Sequence, residues 1–164
     1  MRCYEIFAAM PRERGLAILS EVREKAPAGF RQALLVACGV MKTRPVYLTR
    51  QPFERQADAV RRALGRVASN GVAEEILAIY FLECRKPLLV EWLDGVGVAH
   101  EEGVLKDDRP PAPDDAKLRE FAMHFLSGDA PETRRLLLEA FSAQDTVEWP
   151  ALDALLTESP RAAS

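Results

Sequence analysis

Residues 94–108 read DGVGVAHEEGVLKDD. His100, one of two histidines, stands there beside Glu101, Glu102, Asp107 and Asp108. Imidazole and carboxylates together are the ligand types of a divalent cation, or the partners of an acid–base pair. Their spacing serves neither chemistry. Adjacent Glu101 and Glu102 tend to point apart, and neither the calcium-loop pattern D-x-[DN]-x-[DN]-G-x5-E nor HExxH is present. Gly95, Gly97 and Gly103 are the residues that a helix end and a loop need at left-handed backbone positions. The stretch therefore predicts a solvated polar turn between helices.

Other constellations are thinner. His124 follows Glu120 by four residues, which puts both on one helix face. Diiron carboxylate proteins use Glu-x-x-His at i,i+3, so a helix-surface ion pair is the expectation here. Glu74, Glu75 and Glu83 are carboxylates with no second carboxylate-bearing helix to face, and solvent exposure is expected. The GVG at 95–97 lacks the third glycine and the preceding strand of a dinucleotide fingerprint, and neither GxxxxGK nor GxSxG occurs. Cys3, Cys38 and Cys84 are an odd count with no CxxC, as in a reducing compartment, and Cys38 and Cys84 sit inside apolar runs as core residues. No catalytic, metal or cofactor residue is assigned, and no cofactor is implied.

The charge layout says more. Residues 42–66 hold seven Lys or Arg against two acids, while residues 91–120 hold nine acids against four bases, in a chain of net charge −3. On a helix predicted over 52–68, Arg55, Arg62 and Arg66 fall within about 40° of arc at 3.6 residues per turn. They lie opposite the apolar face of Phe53, Ala57 and Leu64, and Asp58–Arg62 forms an i,i+4 pair. Such a stripe is the solvated side of an amphipathic helix, or a docking surface for an acidic partner. That partner is another protein, the acidic segment of a second copy, or nucleic-acid phosphate. Arg outnumbers Lys 17 to 5 and Ala is abundant, a bacterial-like, GC-rich bias that lowers the weight of any one arginine.

The elements that position these residues are helical nearly throughout. Apolar residues recur at helical spacing in 11–25, in 27–42 (Phe30, Ala33, Leu34, Ala37, Cys38, Met41), in 52–68, and in 114–128. The run 72–85 has a near-continuous apolar perimeter and is expected to be the most buried helix, with Trp92 in the adjoining core. Pro87 predicts a kink or a fresh helix. Asp129 and Glu132 around Pro131 predict a capping box. GVGVAHEEGVL has too few apolar positions to predict a hairpin. The fold expected is all-α, an irregular bundle of seven to eight helices, with stacked solenoid-like hairpins as the alternative. It is expected as one domain over 1–158, with an acidic proline-rich linker at 106–115 and a disordered tail at 159–164.

LVACG at 35–39 imitates a lipoprotein cleavage box, but Arg31 and Gln32 leave it no apolar stretch. No run reaches the roughly 18 apolar residues of a membrane span. A cytoplasmic location without membrane association is expected. The default function is a non-catalytic helical adaptor that binds another protein. The alternatives are a nucleic-acid-associated domain using residues 42–66, with Tyr47, Gln51 and Gln56 interleaved among the arginines, and a small metal-assisted enzyme using His100 or His124.

Overall fold

The computed structural model describes residues 1–159; the last five positions of the expected tail lie outside the described residues. Among the described residues there are ten α-helices and only two strands of two residues each, so the fold is all-α. No helix among them is long and apolar enough to cross a membrane. Where the sequence suggests one domain, the chain groups into two compact units, Arg2–Arg85 and a second from Lys86 onward.

The first unit holds α1 (Cys3–Ala9), α2 (Arg12–Lys25), α3 (Pro27–Met41), α4 (Pro45–Thr49), α5 (Phe53–Leu64) and α6 (Asn70–Ile79), with a 3-10 turn at Val67–Ser69. Prolines set the starts: Pro27 and Pro45 occupy first turns, where a missing N–H costs nothing, and Pro11 and Pro52 cap α2 and α5. α2, α3 and α5 pack on one another, and α1 packs on α6. Leu19, Val22, Leu34, Ala37, Val60 and Leu64 are buried among them. Gly15 lets α5 approach, because a Cβ there would lie 2.5 Å from Cδ of Arg61.

The run 72–85 is not one helix, and its expected burial is not continuous. α6 ends at Ile79 and passes into a π-helical turn, Tyr80–Cys84. Ala73, Ile76, Leu77, Tyr80 and Phe81 are buried, whereas Ile79 and Leu82 are half-buried. The widest buried face belongs to α9 (Pro131–Ser142), where every residue from Leu136 to Phe141 is buried.

The second unit contains α7 (Lys86–Val96), the hairpin β1 (His100–Glu101) and β2 (Val104–Leu105), α8 (Asp115–Leu126), α9 and α10 (Pro150–Glu158). Pro87 lies in the first turn of α7, a fresh start. The core is aromatic. Trp92, fully buried, meets Phe121, Phe125 and Phe141 with ring centroids 5.8, 5.4 and 6.0 Å away, and Phe141 meets Trp149 at 5.0 Å. Residues 106–114 form neither helix nor strand, but they are anchored. Pro110 is buried, and its carbonyl accepts the indole N–H of Trp149 at 3.0 Å.

The expected capping box of α9 does not form. Ala130, in a left-handed conformation, precedes Pro131, and the Asp129 carboxylate turns to Arg134 instead. Arg134 is buried, pairs with both oxygens of Glu91 at 2.7 and 3.1 Å, and lies over the Phe125 ring. The Arg134 guanidinium, hydrogen-bonded to the Asp129 carboxylate, holds that carboxyl below its ordinary range.

Candidate docking surface

The prolines at 45 and 52 bracket a short helix within RPVYLTRQP. α3 closes with Lys42 left-handed (φ 52°), its N–H reaching back to the carbonyls of Cys38 and Gly39. The chain then turns into α4, which buries Leu48 and leaves Val46 and Tyr47 outward, 61% and 62% exposed. The α4–α5 turn is fixed by Gln56, whose amide nitrogen donates to the carbonyls of Thr49 and Gln51, both at 3.0 Å. This is what brings Tyr47 beside the helix that carries the arginines.

Together these elements line an open cavity of about 270 Å³. Met41, Tyr47, Leu48 and Ala59 supply apolar wall; Gln51, Arg55, Asp58 and Arg62 supply the polar side. Met41, at the end of α3, is itself 41% exposed.

The arginines of the predicted stripe take three different places. Arg55 is exposed and donates to the side-chain oxygen of Gln51 at 3.3 Å; among the described residues no carboxylate pairs with it. Arg62 lies over Asp58 and donates to its carboxylate through Nε at 3.0 Å and more closely through a terminal nitrogen. Arg66 leaves the stripe. The helix expected over 52–68 ends at Leu64, and Arg66 is extended and exposed beyond it. Gly65 caps the helix and runs close to α1: a Cβ there would lie 3.2 Å from Cα of Ala8.

Asp58 is the residue that helical periodicity misplaces. It is only 8% exposed and also receives Arg61 and Arg12, each at 3.3 Å. Burial alone would raise its carboxyl pKa, but hydrogen bonds and attraction from Arg62 and Arg61 outweigh this and hold it below the ordinary value. Arg12 also pairs with Glu54 at 2.8 Å, which raises its own pKa. An i,i+4 pair was legible in the sequence; a buried carboxylate gathering three arginines from two helices was not.

The acidic stretch folds differently from a plain turn. It makes a two-residue hairpin, with His100 opposite Leu105 and Glu101 opposite Val104. Glu102 (φ 53°) and Gly103 (φ 90°) form its turn, both left-handed as in type I′. His100 Nδ1 accepts the Gly103 N–H at 3.2 Å, so the ring proton sits on Nε2, 2.9 Å from Asp94. Both ring nitrogens are thus engaged in holding the hairpin. Glu102 approaches Lys86 at 3.7 Å, while Asp107 and Asp108 are exposed farther along. Among the described residues no three His, Cys, Asp or Glu side chains converge as a metal site. His124 is exposed and meets Phe121 rather than Glu120. Glu75 and Glu83 are exposed and Glu74 is half-buried.

Compared with known proteins, the chain matches no family model, no curated protein and no solved structure.

Proposed function

We propose that this chain is a non-catalytic interaction module whose α3–α5 groove docks a segment of a partner protein carrying a carboxylate next to an apolar side chain. One observation carries the reading: Arg55 and Arg62 line the same open cavity as Tyr47 and Met41. The apolar wall gives a partner roughly 25 cal/mol for each Å² of apolar surface removed from water. The arginines add orientation and encounter rate, an effect that salt screens over about 8 Å at physiological ionic strength. Gln51 and Asp58 hold the two guanidinium groups in place, so less side-chain freedom is lost on binding. The metal-assisted alternative would draw on His100, whose ring nitrogens are committed to the hairpin.

Fluorescence polarisation with labelled peptide pools tests this. A pool alternating Glu with Leu or Val should bind, and its Lys-for-Glu counterpart should not. Arg55→Glu and Tyr47→Ala should each weaken binding at least tenfold, about 1.4 kcal/mol. Equal binding of both pools, or binding indifferent to both substitutions, would sink the proposal.

A second reading takes Tyr47 as a stacking face for one base of single-stranded nucleic acid, with the arginines on phosphate. Tight binding of oligonucleotides with a steep salt dependence, lost on Tyr47→Ala, would favour it over the peptide reading.

A further inference from the structure

We propose that the groove of one copy of this chain receives the β1–β2 hairpin of a second copy. This rests on the docking reading above and names its partner. The hairpin has the complementary chemistry. Glu101 and Val104 stand directly opposite one another in the ladder, so both side chains leave the same face with Cβ atoms about 4.5–5.5 Å apart. Both are exposed, Val104 at 58%. His100 and Leu105, paired one step away, occupy the opposite, half-buried face. The outward face therefore presents one carboxylate beside one isopropyl group.

The groove offers the converse: Arg55, whose charge no carboxylate among the described residues offsets, stands beside an apolar wall around a cavity of about 270 Å³, with Arg62 paired to Asp58 in the same lining. Close in sequence, Asp107 and Asp108 follow the hairpin and are exposed, and Lys42, Arg44 and Arg50, also exposed, flank the groove residues Met41, Tyr47 and Gln51 along the chain. Lys86 engages Glu102, but among the described residues no cation pairs with Glu101, just as no carboxylate pairs with Arg55. The His100 bonds to Asp94 and Gly103 hold the hairpin in shape before it docks, which lowers the ordering cost of association.

Groove and hairpin are different surfaces, so the contact is heterologous. Each copy offers both halves, and association runs on into a ring or an open chain. A two-residue hairpin covers less than the roughly 1,000 Å² of a durable interface, so the contact is weak and exchanges rapidly.

Sedimentation velocity of the full chain, up to about 1 mM, tests this. The weight-average mass should rise with concentration. Arg55→Glu and Glu101→Arg should each weaken association at least tenfold. Both sites are exposed and lack an ion-pair partner, so circular dichroism should be unchanged. An equimolar mixture of the two variants should regain association, because each groove again faces a hairpin of opposite charge. A chain that stays monomeric throughout, variants that associate as the parent does, or a mixture that fails to recover would each overturn the proposal. A monomeric chain that still binds acidic peptide through Arg55 overturns self-docking and leaves the groove reading standing; indifference to both overturns both.

Discussion

Gly95→Ala should destabilise the protein, although helix propensity alone says the reverse. Gly95 lies near the end of α7 and is exposed, where alanine ordinarily gains up to about 1 kcal/mol. Here the Phe121 ring stands end-on against the glycine. An added Cβ would lie 1.9 Å from its Cζ and 2.2 and 2.5 Å from its two Cε atoms. No small adjustment relieves three such contacts, so the ring must swing away from Trp92, on which it stacks. Overpacking of this kind costs about 1–3 kcal/mol, and the forfeited aromatic contact about 0.5–1.5 more. Against the propensity gain, the net loss is about 2 kcal/mol. For a unit of this size that lowers the melting temperature by roughly 10 °C. Near-UV circular dichroism follows it directly, since the only two tryptophans, Trp92 and Trp149, lie in this core. The decisive measurement is made in a Phe121→Ala background. With the ring gone, Gly95→Ala should become neutral or mildly stabilising, a coupling of about 2 kcal/mol or more. Stabilisation in the parent protein, or an undiminished loss without Phe121, would refute the packing account.

Four further expectations follow from the first unit and the hairpin. The folded Asp58 carboxyl titrates below its unfolded value, so its contribution is present at neutral pH, above the unfolded value of about 3.9, and is lost as pH falls through the folded one; Asp58→Asn should lower stability at pH 7 by about 1–3 kcal/mol and flatten the acid limb of a urea-denaturation series below about pH 4. Arg62→Glu, which sets a second carboxylate against Asp58, should lower the melting temperature while Arg55→Glu does not, and equal melting of the two would show that Asp58 does not depend on Arg62. Leu77→Asp should unfold the first unit, an unpaired buried charge costing about 3–5 kcal/mol, with half-buried Ile79→Asp milder by circular dichroism; His100→Ala should remove only the hairpin's two side-chain bonds, and chelator should leave the melting curve of the parent unchanged.

Periodicity made the helical class legible, because an amphipathic pattern such as Phe53, Ala57, Val60 and Leu64 reports a local property of the chain. What it did not report are approaches between elements distant in sequence. Helix α5 ends in Gly65, which lies against Ala8, 57 positions away in the chain, at a spacing that an added Cβ would crowd. Asp129 forgoes its cap because Arg134, buried by α7 and Phe125, draws it. The hairpin escaped prediction because its strands are two residues long, too short for an alternation to be counted. Half of the candidate site was readable as a basic stripe. Tyr47 was readable only as an aromatic among the arginines, and Met41 only as part of an apolar stripe, since it is the fold that shows both side chains outside the core.

In a chain with 17 arginines, an arginine on the surface carries little information. Some, such as Arg44, Arg50 and Arg66, are simply exposed, and seven have their charge met by a carboxylate. Arg134 faces Glu91 and Asp129, Arg135 faces Glu139, Arg85 faces Glu21, Arg119 faces Glu158, and Arg12, Arg61 and Arg62 share Asp58. In each case a carboxylate accounts for the guanidinium, and the pair explains itself as structure. Arg55 is oriented by a neutral amide that fixes its geometry without offsetting its charge. It stands at a cavity with one apolar wall, whose outer residues, Tyr47 and Met41, have no partner burying them. An oriented, unneutralised cation next to uncovered apolar surface is an arrangement that folding does not require, which is why the case for binding rests on Arg55 rather than on the basic segment as a whole.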